Sequence, residues 1–463
     1  MNRFTRILAA LPLCVATAAA QADVTISPRA TAHMNCTASL CTATGAKAFL
    51  NVDQLQTMLA AGDVTVKGTA VAPNIVVTGA VSFSSAHTLT LDAYRSVVLH
   101  RTIDVLASGG LSVLTNDGGT NGVFLTAPRG NVHFRSLSGS LAIDGHAYTL
   151  VGSLSTLASQ VASVPGGYFA LAADADAEPD GEYALSPVTT PLAGRFDGLG
   201  NNVLNMTIRN ANKHLGLFAE VAAAGAVQNL TLKGVHIHAT GPRAVAGAVA
   251  AVNNGTLRNV HLLYLKVGAT GQVSAYGGSI SGINNGTILL SSGKNLPQNG
   301  TECGGGLVGL NTGLIGESYT EGKMFAEESG GIACINTGTI RNIYTFTSVG
   351  GRFPTPYPGG IVADNQAGGT IATSFAAGQI TAAARFGGVA GNNSGTLGNV
   401  YWDMDYTGAS ETFGCGSGSC AGATPLTHEQ IQGAMPAGFD TSVWTRSAGV
   451  NDGYPYLIDN PPR

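Results

Sequence analysis

Short runs of aliphatic residues alternate with Ser, Thr and Asn along most of the chain. Residues 339–344, a Thr-Ile-Arg-Asn-Ile-Tyr run, show this period of two, which is typical of half-buried β-strands. Helical spacing is confined to 51–59, where Asn51 is a candidate N-cap, and to 155–161. The pattern predicts an all-β chain, with a helix that covers the N-terminal end of the sheets. Further strand-like runs in the first half lie at 64–66, 75–77, 88–91, 97–99, 111–114 and 131–134.

One phrase recurs from about residue 215 onward: a glycine pair, an aliphatic residue, a small residue, and then Asn-x-Gly-Thr with another aliphatic residue. The glycine of each Asn-x-Gly motif serves as a marker. Successive markers are separated by 31, 27, 25, 31 and 26 residues. This period suits one coil of a β-helix, whereas the density of Gly and β-branched residues opposes helical repeats. We therefore predict a parallel β-solenoid. The markers are Gly255, Gly286, Gly313, Gly338, Gly369 and Gly395.

The repeated glycines and asparagines each predict a structural role. Glycine fits points where a coil must turn with positive φ, or where stacked coils approach closely. Asparagine at the same place in successive coils can donate an amide hydrogen bond to the coil beside it. We therefore expect a hydrogen-bonded asparagine ladder along the solenoid.

The same patterns divide the chain into segments. The start has basic residues, an apolar run and the small-residue triplet Ala20-Gln21-Ala22, which predict a secretory signal peptide. No second hydrophobic segment follows, so we expect no membrane span in the mature chain. The predicted segments are the signal peptide at 1–22, a cysteine-containing segment at 23–46, irregular early coils with a cap at 47–151, a loop and short-helix excursion at 152–195, regular repeats at 196–402, and a disulfide loop with a closing segment at 403–463.

Composition narrows the possible functions. Charged residues make up only 11% of the chain, there are 64 glycines, and the formal net charge is -4. The apolar content of 44% argues against disorder. Without a basic patch, nucleic acid is not an expected partner.

Six cysteines remain once Cys14 is removed with the signal peptide. An even number in a chain bound for an oxidising compartment predicts disulfides. Cys36 and Cys41, and likewise Cys415 and Cys420, are five residues apart in stretches that can close a small loop. Zinc binding is the alternative, although no histidine spacing accompanies either pair.

The remaining two cysteines are out of step with each other in the repeat. Cys303 lies ten residues before Gly313, whereas Cys334 lies four before Gly338. Neighbouring coils would then place them about six residues apart, or up to roughly 20 Å along an extended path. This register argues against a simple bond between Cys303 and Cys334, unless a bulged loop before Gly304 brings them together.

The phrase Gly-Gly-Leu-Val-Gly-x-Asn-x-Gly at 305–313 resembles the GLUG repeat of large bacterial exoproteins, including filamentous haemagglutinin-like adhesins. The resemblance covers about 47–457 and implies a right-handed parallel β-helix with short capping elements, in a secreted or surface-attached adhesin of a Gram-negative bacterium. Two departures concern export. An N-terminal secretion domain with Asn-Pro-Asn motifs is usual, but here only Pro73-Asn74 is found, and no autotransporter barrel pattern follows Leu457. Other stretches that resemble the family lie at 89–93, 143–150, 196–202, 400–403, 438–440 and 454–457.

β-Helices also carry polysaccharide-cleaving enzymes, which need paired carboxylates, or a calcium-binding acid cluster with a basic proton acceptor, on one face. The densest acids lie at 174–182, with no Arg or Lys between Arg135 and Arg195, so we interpret them as a solvated loop rather than a calcium site. Asp403 and Asp405 flank a strand end beside Trp402 and could suit a sugar, but a packing role is favoured.

Two histidines are candidate metal ligands. His236 and His238 point to one face of a strand, but no third ligand is nearby in the sequence, so we interpret them as surface histidines. Nucleophile motifs such as Gly-x-Ser-x-Gly between a strand and a helix are absent. We therefore predict no catalytic residue, metal or cofactor.

The sequence thus favours an exported, adhesin-like, non-catalytic protein at the cell surface or outside the cell, with the periplasm as a further possibility. Its expected partners are a host-cell, matrix or surface glycan or protein, together with outer-membrane secretion machinery. The alternative is a carbohydrate-active or sugar-binding β-helix protein. Three or more acids and one base converging on a single groove would favour the enzyme.

Overall fold

The computed structural model describes residues 23–210, 214–239, 244–269, 276–299, 302–351, 357–381 and 385–463. The predicted signal peptide at 1–22, with Cys14, lies outside these residues. Short strands wind into a β-solenoid of about 14 turns. The predicted parallel β-helix is therefore confirmed.

The first stack of coils comprises residues 23–143 and three mostly parallel sheets. The segment at 23–46, which we expected ahead of the coils, belongs to this stack, because Asp23–Ser27 pairs with a strand on each side. Sheet by sheet, the strands are Ala48–Asn51, Asp23–Ser27, Asn74–Val77, Val97–Leu99 and Phe124–Thr126; Val81–Phe83, Ile103–Val105 and Val132–Phe134; and Met34–Cys36, Leu40–Ala43, Val64–Lys67, Thr88–Asp92, Gly110–Leu114 and Ser140–Ile143.

A helix, Val52–Ala61, covers the open edge of the second sheet. The side chain of Asn51 accepts a hydrogen bond from the Gln54 amide and caps the helix. The side chain of Gln56 accepts from the Ser82 amide at 2.8 Å, on the end strand of that sheet. The helix therefore satisfies part of an edge that would otherwise remain unpaired, and the predicted cap is confirmed.

Strand direction reverses between the two halves of the chain. Ser140–Ile143 pairs antiparallel with His146–Val151 through a tight turn, in which Asp144 has φ 48° and Gly145 φ 79°. Asp-Gly is a favoured pair for such hairpin turns. The hairpin therefore joins two stacks of opposite strand direction with largely separate hydrophobic cores.

The second stack contains residues 146–426 and four sheets. Its longest sheet forms one lateral face of the solenoid and carries the candidate functional site. The strands of that sheet are His146–Val151, Tyr168–Leu171, Ala175–Asp176, Arg195–Asp197, Asn202–Leu204, Ala226–Lys233, Thr256–Leu263, Thr287–Leu289, Ser292–Asn299, Leu314–Ala326, Thr339–Gly351, Thr370–Ala376, Ile380–Thr381, Thr396–Asp403 and Ala423–Leu426. The other sheets contain Glu182–Tyr183, Thr207–Asn210, His236–Ala239 and Lys266–Ala269; His214–Leu215, Val245–Gly247, Tyr276–Gly278, Cys303–Gly305 and Glu328–Gly330; and Phe218–Val221, Ala250–Asn253, Ser281–Asn284, Val308–Asn311, Ala333–Asn336, Val362–Asn365, Ala390–Asn393 and Cys415–Gly418.

The acidic stretch at 174–182 is part of a coil, so the predicted loop is wrong. Ala175–Asp176 and Glu182–Tyr183 pair parallel with strands of the next coil. The reason lies in the small residues between the acids: Ala175 and Ala177 are buried and alternate with outward-facing carboxylates. The short helix expected nearby is present as Leu154–Ser163, and a 3₁₀ turn spans Glu178–Asp180.

A ladder of buried asparagines runs along the second stack, as the repeat predicts. In each rung, the side-chain Nδ2 donates to the Oδ1 of the asparagine in the next coil, at 2.7 or 2.8 Å. All six side chains are at most 2% exposed. Each interior amide satisfies both neighbours, so a slip of one residue would leave buried polar groups unpaired. The ladder consists of Asn253, Asn284, Asn311, Asn336, Asn365 and Asn393.

The marker glycines are required because adjacent coils approach closely. A Cβ at Gly313 would lie 2.0 Å from the carbonyl oxygen of Gly286, and one at Gly338 would lie 2.2 Å from that of Gly313. Neither glycine has positive φ. Of the two roles predicted for these glycines, close approach is therefore the one that applies.

Disulfides join Cys36 to Cys41 and Cys415 to Cys420. Cys303 and Cys334 are also bonded, with Cα atoms 5.6 Å apart, so our register argument against this bond was wrong. Cys303 pairs with Glu328 in the next coil. The chain turns a corner between Glu328 and Cys334. The six residues therefore fold back, and Cys334 returns to the side of Cys303.

The C-terminal segment, residues 427–463, turns back along the lateral face. It contains the helix His428–Gly433, a 3₁₀ turn at Asn451–Gly453, and an antiparallel pair of strands, Trp444–Thr445 and Tyr456–Leu457. A four-residue helix, Met404–Thr407, precedes it. The segment covers a column of aromatic side chains on successive coils, with its own Ile431, Phe439, Trp444, Tyr454 and Leu457 packed against Tyr319, Tyr344, Phe375 and Tyr401.

The asparagine ladder yields a prediction for stability. Asn311→Ala removes the donor to the Asn336 side-chain oxygen and leaves the Asn284 amide with only its long backbone contacts of 3.3 and 3.4 Å, so we expect the free energy of unfolding to fall by about 2–4 kcal/mol. Urea titration followed by circular dichroism measures the loss. Asn285→Ala, on an exposed position of the neighbouring coil, should cost less than about 1 kcal/mol. Equal losses in the two variants would contradict a specific role for the ladder.

The disulfides differ in the length of chain that they close. Cys303 and Cys334 are 31 residues apart, whereas Cys36 and Cys41 are 5 apart. Chain entropy then predicts losses of about 3–4 and about 2 kcal/mol, respectively, when each pair is changed to serine. Peptide mapping without reduction should recover the Cys303–Cys334 link directly. Free thiols at both positions in the folded, air-oxidised chain would contradict the corner geometry.

Candidate functional site

A groove of about 910 Å³ lies between the lateral face of the second stack and the C-terminal part of the chain. Strands of several successive coils form its floor, and Tyr406 with residues of the C-terminal segment forms its wall. Both sides of the groove rest on packed, hydrogen-bonded elements. It is lined by Gly234, His236, Tyr264, Leu265, Lys266, Lys294, Glu321, Gly322, Lys323, Phe346, Tyr406, Asn451, Asp452 and Pro462.

Charged side chains are concentrated in this groove, although only 11% of the chain is charged. Lys266, Lys294 and Lys323 face two carboxylates, those of Glu321 and Asp452. The Lys294 ammonium lies 3.0 Å from the Glu321 carboxylate in a partly exposed ion pair. Two lysines therefore remain without a carboxylate partner among the described residues, and the groove is weakly basic.

Two exposed tyrosines flank the charges. Tyr264 and Tyr406 are 60% and 57% exposed, and every other tyrosine among the described residues is buried or half-buried. Phe346 lies deeper, with its ring 5.0 Å from that of Tyr454 in an edge-on contact. Large aromatic rings at the rim of a polar groove provide apolar faces on which a ligand can stack.

The wall of the groove is fixed by a hydrogen-bonded cluster behind it. The Asp403 carboxylate is fully buried and accepts from the Tyr454 hydroxyl at 2.6 Å and from His428 Nδ1 at 2.9 Å. It also accepts from the amides of Asp405 and Tyr406. Burial, followed by the hydrogen bond to Asp403, raises the pKa of Tyr454, so its hydroxyl stays protonated and continues to donate.

Trp402 and Asp403 are buried, in line with the packing role favoured from the sequence, whereas Asp405 is exposed and accepts from the His428 amide at 2.8 Å. The Trp402 indole is buried and donates to the Ala409 carbonyl at 3.0 Å. The acids at 174–182 include one that links neighbouring coils: Asp174 accepts from the backbone amide and the side chain of Asn202 at 2.8 and 2.9 Å. Neither set of acids converges on the groove.

His236 and His238 share the outer face of the strand His236–Ala239, as predicted. His236 lines the groove beside Lys266, its partner in the next coil, and burial together with the Lys266 charge lowers its pKa. Within the described ranges, the group of side chains close enough to hold a metal is Cys303, Glu328 and Cys334. Its two sulfurs are joined in the disulfide.

Sequence reasoning missed the groove, and the signal for its floor is weak. Lys266, Lys294 and Lys323 recur 28 and 29 residues apart, close to the spacing of the marker glycines. They do not form one column, because Lys294 pairs with Leu263 and Glu321, whereas Lys323 pairs with Pro297 and Ser348. The wall, in contrast, has no such signal, because Asp452 and Pro462 reach the groove only through the return of the C-terminal segment.

Two features bear on the cellular compartment in which the protein resides. Three disulfides are typical of proteins in oxidising, non-cytoplasmic environments. None of the helices in the described part of the chain has the length and apolar character needed to cross a membrane.

Comparisons with known proteins give two partial likenesses. No family model matches the sequence. Over 105 residues, or 22% of this chain, the sequence is 31% identical to halomucin from Haloquadratum walsbyi, and this match spans about 1% of the length of halomucin. The crystal structure of a "putative immunoglobulin A1 protease" from Bacteroides ovatus matches with a TM-score of 0.40 and 17% identity, over 68% of this chain and 93% of that one. Neither likeness carries an argument about function.

The Asp403 cluster yields a prediction. Tyr454→Phe removes the hydroxyl that donates to the buried carboxylate, and we expect the free energy of unfolding to fall by about 1–3 kcal/mol. Tyr456→Phe is the matched control, because Tyr456 is half-buried and its hydroxyl forms no hydrogen bond with the described residues. Urea titration of both variants distinguishes them. An unchanged stability in Tyr454→Phe would show that the cluster does not hold the wall.

Proposed function

We propose that this protein is an exported, adhesin-like binding protein that retains a glycan-bearing ligand in the lateral groove without cleaving it. The observation that carries the proposal is that one groove contains exposed Tyr264 and Tyr406 together with two lysines that have no carboxylate partner among the described residues. Resemblance of the repeats to GLUG exoproteins supports the adhesin class, and the disulfides support a site of action outside the cytoplasm.

The chemistry of the groove suits a sugar chain. Pyranose rings present an apolar face and a rim of hydroxyl groups, so tyrosine faces can take the ring while lysines, Asn451 and the carboxylates bond the hydroxyls. The groove is also long enough to cross several coils, since its floor runs from His236 to Phe346 in coil order. An extended ligand on a host cell, a matrix or another surface fits this shape.

The arrangement of acids supports binding without catalysis. Glycoside cleavage requires two carboxylates across the scissile bond, one of them protonated. The groove offers Glu321 and Asp452, and Glu321 is already paired with Lys294 at 3.0 Å. Three acids and a base would have favoured an enzyme, whereas the groove contains two acids.

A carbohydrate-active enzyme is the second candidate, because Glu321 and Asp452 do line the same groove. The two functions differ in the fate of the ligand. An enzyme would shorten a bound polysaccharide, and Glu321→Gln would abolish the shortening. A binding protein would retain the polysaccharide at constant length, and Glu321→Gln would change affinity alone.

Incubation of the purified full chain with a glycan panel and with cells tests the proposal. We expect retention on at least one glycan class without a change in its chain length, as judged by size-exclusion chromatography. Tyr406→Ala and Tyr264→Asn should each weaken retention about 5–10-fold, equivalent to roughly 1 kcal/mol of lost stacking. Asn is chosen at position 264 because that backbone has φ 55°, which Asn tolerates.

Phe413→Ala is the control for the tyrosine variants. Phe413 is also an exposed aromatic residue, 49% accessible, but it stacks on Phe386 away from the groove. Its removal should leave retention unchanged. Depolymerised glycan would overturn the non-catalytic proposal. Tyrosine variants that bind as well as the unaltered chain would show that the ligand binds outside the groove.

A further inference from the structure

A second, smaller pocket lies where the two stacks meet, distinct from the groove. It has a volume of about 290 Å³, close to the lower end of the roughly 300–1,000 Å³ typical of small-molecule sites. The turn 126–131 of the first stack forms one side, and corner residues of the second stack form the other. The Nδ2 of Asn259 ties the two together by donating to the Thr126 carbonyl at 3.0 Å.

The ionisable groups that line this pocket are Arg129, Arg463 and His261, and none of its lining residues is an acid. Neither arginine forms an ion pair with a carboxylate in the described chain. Arg129 is exposed at the rim. Arg463 is half-buried, and its NH2 group makes a long contact of 3.5 Å with the Asn259 side chain.

An uncompensated guanidinium inside a pocket is unfavourable, because burial removes water without supplying a counter-charge. Loss of water lowers the pKa of Arg463 to about 10, so the side chain remains cationic at neutral pH. The main-chain oxygen of Arg463 accepts from Lys294 at 2.9 Å. This contact fixes the backbone on the groove side of the residue.

The other walls are neutral and polar. His261 is fully buried, and burial holds its pKa well below the usual range. Its ring nitrogens are occupied by Ser292 at 2.8 Å and Asn259 at 2.7 Å, so it adds no charge. The side-chain oxygen of Asn131, which lines the pocket, is buried and has no hydrogen-bond partner among the described residues.

From this arrangement we infer that the junction pocket binds a small oxyanion, a sugar carboxylate or a sulfate or phosphate group, between Arg129 and Arg463. Planar guanidinium groups bind such oxyanions through paired N–H donors. The volume admits a single acidic sugar unit or a free ion, and the unpaired Asn131 oxygen can accept from a sugar hydroxyl. The site needs no part of the groove, so it stands or falls independently of the proposed adhesin function.

Isothermal titration of the full chain at low salt tests the inference with three probes: sodium sulfate, sodium glucuronate and glucose. We expect sulfate and glucuronate to bind in a way that depends on Arg129 and Arg463, whereas any heat from glucose arises in the groove and does not depend on these arginines. Tighter binding of glucuronate than of sulfate would identify a sugar-borne carboxylate as the ligand, and the reverse would identify a free ion. Salt should weaken both anions, because the attraction is electrostatic.

Arg129→Gln and Arg463→Gln should each weaken anion binding about tenfold or more, since each removes one charged donor pair. Arg463→Lys keeps the charge but loses the paired N–H donors, so its anion affinity should lie between those of the unaltered chain and Arg463→Gln. Arg29→Gln, an exposed arginine at the far end of the first stack, is the control and should bind normally. Because Arg129 is exposed, its replacement does not threaten the fold.

Crystals soaked in selenate would locate the anion by its anomalous signal. Selenium between Arg129 and Arg463 supports the inference, and selenium elsewhere alone overturns it. Unchanged sulfate affinity in both glutamine variants also overturns it. Sulfate carries no ring to stack on a tyrosine, so a failure of the groove proposal would not produce that result.

Discussion

The buried asparagine ladder is the constraint on which the second stack depends. Each amide is sealed from water and finds its donor and acceptor in the adjacent coils, at 2.7–2.8 Å. Hydrophobic contacts alone would tolerate a coil of different length or a shifted register, whereas a buried amide does not. The loops between coils vary, as the spacings of 31, 27 and 25 residues show, but the register of the ladder does not. The columns of side chains in the coils from Asn253 to Asn393 share this register.

These columns explain why part of the architecture was predictable. A residue that must occur in each coil repeats in the sequence, so the glycine markers and the asparagines reveal both the coil and the ladder. The capped helix after Asn51 is equally local, since its signal lies within nine residues. By contrast, the reversal at Asp144-Gly145 occurs once. The dipeptide is a known hairpin signal, but the aliphatic runs on both sides look alike, and nothing in them records strand direction.

The remaining differences also have physical causes. The acids at 174–182 led us to predict a solvated loop. A strand, however, needs only its inward positions to be small or apolar, and Ala175 and Ala177 occupy those positions. Counting residues along an extended path separated Cys303 from Cys334, yet a solenoid coil has corners that fold such a path. The lysines of the groove recur at about the coil spacing but stand in different columns, and the wall opposite them comes from a segment that carries no repeat.

The C-terminal segment therefore converts a regular surface into a specific one. Tyr319, Tyr344 and Phe375 stack on successive coils with ring separations of 4.8 and 5.5 Å, and such an apolar column on a lateral face needs cover from water. By covering it, the segment brings Asp452 and Pro462 to the groove and Arg463 to the junction pocket. The groove thus combines a floor set by the register of the coils with a wall set by the segment, whereas the junction pocket combines the turn 126–131 of the first stack with Arg463. A change that shifts the register of the coils would displace the floor of the groove relative to a wall anchored through Asp403, so binding in the groove should be more sensitive to register than the fold itself.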